Sequence, residues 1–123
     1  MATSMEKSRA LAGKYIGKKV EAKLDGGLFD HVAATFRFRF VDPQELQDAI
    51  REDYEDYLED WDFSELVPVA AVSSAEATDY EFAWIFLDWR DERETPGVVV
   101  TTTDDWGQER TVDSLGELGL KIL

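Results

Sequence analysis

The chain has no cysteine and a single histidine in 123 residues. Without thiols it can build neither a disulfide framework nor a thiolate zinc site, and the lack fits a reducing compartment. Any Ser-His-Asp arrangement would have to use His31, which sits near the turn signal Asp25-Gly26-Gly27 with no matching motif around a serine. His31 therefore reads as an ordinary surface or strand-end residue. Glycine-rich phosphate loops and dinucleotide fingerprints are missing as well. No apolar run approaches the length of a membrane span. Met1 to Ser8 is polar and lacks the hydrophobic heart of an export signal, so the expected location is the cytoplasm. Cations are scarce: 13 Lys and Arg stand against 27 Asp and Glu, a net charge of -14. That balance argues against binding nucleic acid through its phosphates and against docking on anionic membranes.

What is present speaks for a packed core. Hydrophobic residues make up 44% of the chain, with four Trp, four Tyr and seven Phe, which excludes intrinsic disorder despite the charge. The length suits one domain over residues 1–123.

The acid is concentrated. Asp42 to Asp62 hold ten carboxylates and one cation, Arg51. Within that segment Leu46, Ala49, Ile50, Tyr54, Tyr57, Leu58 and Trp61 recur at spacings of three and four, which predicts a long amphipathic helix. Asp42 is placed to cap it, Pro43 suits its first position, and Asp42-x-x-Glu45 has the form of a capping box. Asp48, Glu52, Asp53, Glu55, Asp56, Glu59 and Asp60 then form a carboxylate field facing water. Such a field is usually only a solvated surface, but carboxylates one turn apart repel by a few tenths of a kcal/mol per pair, and a face built for solubility alone would interleave lysines. A basic partner, steered by the summed charge, is the competing reading. Residues 1–23 carry the opposite bias, six Lys and Arg against two Glu, and could attract the acidic body within one molecule.

Strands surround this helix. Lys18 to Leu24 alternates, with Val20, Ala22 and Leu24 on one side; Val32 to Val41 alternates more sharply, Phe36, Phe38 and Phe40 against Thr35, Arg37 and Arg39. The two should pair as a hairpin with the phenylalanines on the core. Leu66 to Val72 reads as a buried strand that is an edge or irregular at Pro68. A polar turn over Ser73 to Asp79, a strand over Tyr80 to Trp89, a charged turn, a strand over Val98 to Thr103 and another turn at Asp104 to Gly107 follow. A short terminal helix should open near Asp113 or Ser114, with Ser114-x-x-Glu117 as its capping box. The expected fold is α+β: a mainly antiparallel sheet of about five or six strands, one long acidic helix and a short C-terminal one.

Trp89 and Trp106 stand beside acidic turns, Asp88 to Glu92 and Asp104-Asp105, where a ring can stay partly exposed. Trp89 with Asp91, and Trp106 with Asp104 and Asp105, are thus candidate anchors for a protein partner. The same carboxylates lack the spacing and turn glycine of a calcium loop, so no metal, cofactor or small-molecule ligand is expected. Carboxylate pairs for glycoside hydrolysis arise by chance among so many acids, and no deep cleft is expected in a domain this small. No catalytic residue is assigned.

Over residues 63–123 the order of features resembles the SUKH superfamily: Phe63-Ser64-Glu65-Leu66-Val67-Pro68-Val69-Ala70, an aromatic strand ending Leu87-Asp88, then Pro96-Gly97-Val98-Val99-Val100, and a closing Asp113-Ser114-Leu115-x-x-Leu118. The resemblance implies a non-enzymatic binding fold. Bacterial members are largely immunity proteins, which neutralise a polymorphic toxin inside the cell, and many such toxins are nucleases with basic sites. An acidic surface would suit that partner. Two other readings use the same charges: a DNA mimic that inhibits a nucleic-acid-binding enzyme, and a regulatory scaffold.

Overall fold

The computed structural model describes residues 3–24, 34–54, 61–91, 94–102 and 110–123. Within them the chain forms two α-helices, α1 (Ser4–Ala12) and α2 (Pro43–Tyr54), and seven strands: β1 (Val20–Leu24), β2 (Ala34–Phe40), β3 (Leu66–Ser74), β4 (Ala77–Asp88), β5 (Gly97–Thr102), β6 (Arg110–Val112) and β7 (Lys121–Ile122). The strands make one sheet in the order β6-β5-β4-β3-β2-β1-β7, and every pairing is antiparallel. Six strands have three residues or more, and β7 adds two residues at one edge. The fold is α+β, as the alternation of apolar residues predicts.

The expected hairpin pairing is present. Val20 lies opposite Phe38 and Ala22 opposite Phe36, so period-two alternation puts these four on one face. Phe36, Phe38 and Phe40 are all buried there. The register continues through Ala70 and Val72, Ala83 and Ile85, then Val98 and Val100, giving a continuous apolar face. Tyr15 stacks on Phe40, ring centroids 4.8 Å apart, and Leu115 and Leu118 complete this cluster.

α1 was not expected. Thr3 caps it by accepting from the Glu6 backbone N–H at 3.1 Å, and its inward stripe is Met5, Ser8 and Ala12, in which one large apolar side chain leaves little hydropathy signal. Ser8 is nonetheless fully buried, because its hydroxyl accepts from the Trp89 indole N–H at 2.8 Å.

α2 begins where predicted: Asp42 accepts from the Gln44 N–H at 3.2 Å, and Pro43 takes the first position. Leu46 and Ile50 are buried against Ala71, Trp84, Phe86 and Val99 on the other side of the sheet. Tyr54 meets Trp84 edge-on at 5.1 Å. Ala49, expected in the stripe, is exposed, and Gln47 is buried in its place. The helix described ends at Tyr54; residues 55–60, with Tyr57 and Leu58 of the expected stripe, lie outside the described residues. Trp61 and Asp62, read from the periodicity as helical, are not. Asp62 accepts from the backbone N–H and hydroxyl of Ser64, at 2.9 and 2.5 Å, and this local turn competes with helix. Trp61 keeps its core role through a different geometry, packing on Phe86 at 4.8 Å.

Two further boundaries differ from expectation, and one irregularity is where it was expected. The polar segment after Val72 is a tight turn at Ala75 and Glu76 rather than a seven-residue loop, since Ser73 and Ser74 pair with Glu81 and Ala77 across a bulged ladder. Pro68 sits in a central strand and is irregular, as one of its two expected readings has it: the register shifts between Pro68 and Ala70, which accommodates its missing N–H. Near the end, only one 3-10 turn forms (Leu115–Leu118). Gly119 stops it at a φ of 70°, and the chain turns back to pair β7 with β1. Ser114 makes no side-chain cap; Glu117 instead accepts from the Asp113 N–H at 2.8 Å.

Candidate partner-binding surface

α2 lies on the half of its sheet face formed by β3, β4 and β5, so its outward side rises above the sheet. Glu45, Asp48, Glu52 and Asp53 are exposed on it. Gln44 donates to Asp48 at 3.0 Å, and none of the four carboxylates enters an ion pair among the described residues. Arg51, the cation of this helix, lays its guanidinium over the Phe63 ring at 4.7 Å. The contact holds that charge against the apolar base of the helix. The acidic face therefore keeps its field.

At the helix start one contact joins the basic N-terminal segment to the acidic body, where the sequence allowed either such an attraction or a merely solvated edge. Arg9 of α1 donates to both oxygens of Asp42, at 2.5 and 3.3 Å. These bonds hold the Asp42 carboxyl below its ordinary range; burial opposes the shift, while the Arg9 charge and the N–H groups of Gln44 and Glu45 add to it. The Ser64 hydroxyl and N–H lower Asp62 in the same way.

Trp89 corrects the expectation of an exposed anchor. Its ring is 7% exposed, its N–H is bonded to Ser8, and the Lys7 ammonium lies 5.2 Å from the ring centroid. The α1 helix, unseen in the hydropathy pattern, covers it. Neighbouring Asp88 is also buried, held by the Arg90 guanidinium at 2.8 and 2.9 Å, whereas Asp91 is exposed. Glu55, Asp56, Glu59, Asp60, Asp104, Asp105 and Trp106 lie outside the described residues, as do His31 and the Asp25-Gly26-Gly27 turn. Of the candidate residues, the structure brings Asp48, Glu52 and Asp53 together.

A second charged surface escaped the sequence reading. On the same side of the sheet as α2, the half formed by β1 and β2 is covered by no helix among the described residues. Arg37 donates to Glu21 of the adjacent strand at 2.6 and 3.2 Å. Arg39 reaches across β3 to Glu81, at 2.7 and 2.9 Å, over the small side chains of Ala71 and Ser73. Alternation in β1 and β2 was the available signal, since the residues between the buried ones had to face somewhere.

Among the described residues no group of three or more His, Cys, Asp or Glu is arranged to hold a metal ion, and no helix is long and apolar enough to cross a membrane. Compared with family models, curated proteins and solved structures, the chain gives no match.

Proposed function

We propose that this protein is an intracellular immunity-type binding protein that neutralises a toxin by seating its basic surface on the acidic face of α2. The observation that carries the proposal is the set Glu45, Asp48, Glu52 and Asp53, exposed on one helix and unneutralised by lysine or arginine among the described residues. Repulsion between neighbours on a helix costs a few tenths of a kcal/mol per pair, so such a face is mildly destabilising for the folded chain alone. It gains a use when a basic protein approaches, because complementary fields accelerate encounter. The resemblance of residues 63–123 to the SUKH superfamily supports the same reading. The proposal assigns the chain no catalytic residue and no cofactor; its role is to occlude.

The test is association kinetics, at low and high salt, against a basic toxin domain whose gene adjoins that of this chain. Changing Asp48, Glu52 and Asp53 together to Asn, Gln and Asn should slow association roughly tenfold at low salt and flatten its salt dependence, with a smaller effect on dissociation. Association that is independent of salt and untouched by the triple substitution would overturn the reading. Displacement of the toxin by duplex DNA, with no protection of cells from it, would favour the DNA mimic instead.

A further inference from the structure

The uncovered half-sheet is the basic counterpart of the helix beside it. Register places Lys23 opposite Thr35, Glu21 opposite both Arg37 and Lys121, and Arg37 opposite Ser73, so these side chains share the face that α2 occupies further along. Glu21 is engaged by Arg37 and Glu81 by Arg39, while Asp79, two residues before Glu81 on β4, is exposed. Lys23 and Lys121 are exposed and enter no ion pair among the described residues. Four cations against three carboxylates leave this floor net positive in a chain whose total is -14.

One side of the sheet is therefore a step. Its raised half is α2, acidic along its crest; its lower half, β1 and β2, is basic. A helix stands about 10 Å across with its side chains, which sets the height of the step. Rotating a second copy by half a turn about an axis in this face, parallel to the strands, brings its acidic crest over the basic floor of the first. The same rotation brings the first crest over the second floor. Ridge meets hollow and acid meets base twice, and the contact closes on itself as a two-fold interface must. Carboxylates along α2 repeat at about 5 to 6 Å, comparable with the strand spacing of about 4.8 Å that separates rows of charge on the floor.

We propose that this stepped face is a self-association surface whose occupant is a second copy of the same chain, the α2 crest of each copy lying on the β1–β2 floor of the other. The total charge of each copy opposes the approach, but screening at about 0.15 M salt confines repulsion to roughly 8 Å and leaves the facing charges to decide. The dimer covers the crest used in the reading above, so self-association and toxin binding exclude one another; the geometry of the step does not depend on that reading.

Sedimentation of the full chain tests this without any other protein. Wild type should show a concentration-dependent monomer–dimer equilibrium at about 0.15 M salt that is lost at about 1 M. Reversing the floor (Lys23→Glu with Lys121→Glu) or the crest (Asp48→Lys with Asp53→Lys) should weaken self-association at least about tenfold. All four residues are exposed, and circular dichroism checks that each variant is folded. Mixing the two variants should restore dimer, because each crest then finds a floor of opposite sign. A chain that stays monomeric up to about 1 mM, a dimer indifferent to either reversal, or a mixture that fails to pair would each overturn the proposal. Failure of the wild-type chain to bind the toxin, with self-association behaving as described, would count against the toxin reading and leave the dimer standing.

Discussion

Phe38 and Arg37 are consecutive residues on one strand and live in opposite environments. Phe38 is fully buried in the continuous apolar face shared by β1 to β5, closed over by Tyr15 and the 3-10 turn at Leu115–Leu118. Arg37 belongs to the other face, which is divided: α2 covers its β3–β5 half, while charges occupy the β1–β2 half. The closed face is where stability is expected to reside, since burial of apolar surface is the largest favourable contribution to folding. The divided face buries a second apolar cluster beneath α2 and spends only its β1–β2 half on charge, whose worth to stability near water is small. The apolar clusters hold the fold, and the charged half of the divided face is free to meet something.

Adjacent substitutions can break that comparison. Phe38→Asp would bury an unpaired carboxylate among Val20, Val72 and their neighbours, and should cost several kcal/mol, about 4 or more, in urea unfolding. A variant that melts within about a degree or two of wild type would mean that the face is not the core. Arg37→Ala, one residue away, should cost about 1 kcal/mol or less, because its partner Glu21 still reaches water. A loss comparable with that of Phe38→Asp would place the ladder in the core and remove the distinction between the faces.

The smallest effect concerns the join between α1 and α2. The folded-state value of Asp42 lies below its unfolded one near 3.9, so its contribution is present above about pH 4 and fades as pH falls through the folded value. Asp42→Asn keeps a side chain able to cap the helix but removes the ion pair with Arg9. Stability measured between about pH 2 and 5 should therefore fall less steeply in the variant than in wild type. Parallel curves would show that the Arg9 contact does not differ between folded and unfolded chains.

Local pattern carried much of the architecture. Alternation marked β1 and β2, and apolar or aromatic runs between turn signals marked β4 and β5, within a few residues, while Asp42-Pro43 marked the start of α2. It failed where structure rests on contacts distant in sequence. The stripe of α1 is Met5, Ser8 and Ala12, and only Trp89, 81 positions away from Ser8, gives the buried serine its hydrogen bond. β6 and β7 are too short for a period to show, and they exist because β5 and β1 offer them unpaired edges. The exposed anchor expected at Trp89 was an inference from its acidic neighbours, which say nothing about the helix that covers it.

By itself the sequence determined the charge of the protein, the absence of thiol chemistry, the clustering of acid on α2 and the face to which the phenylalanines of β2 turn. Those properties depend on composition or on neighbours two to four residues apart, where backbone geometry leaves few choices. Only the tertiary structure decided that the acidic crest would stand beside a basic floor. That juxtaposition comes from the order β4-β3-β2-β1 and from the small residues of β3 that let Arg39 reach Glu81. Side chains from residues 21 to 121 meet on that side of the sheet through pairing between strands, and no local period records which strands will be neighbours.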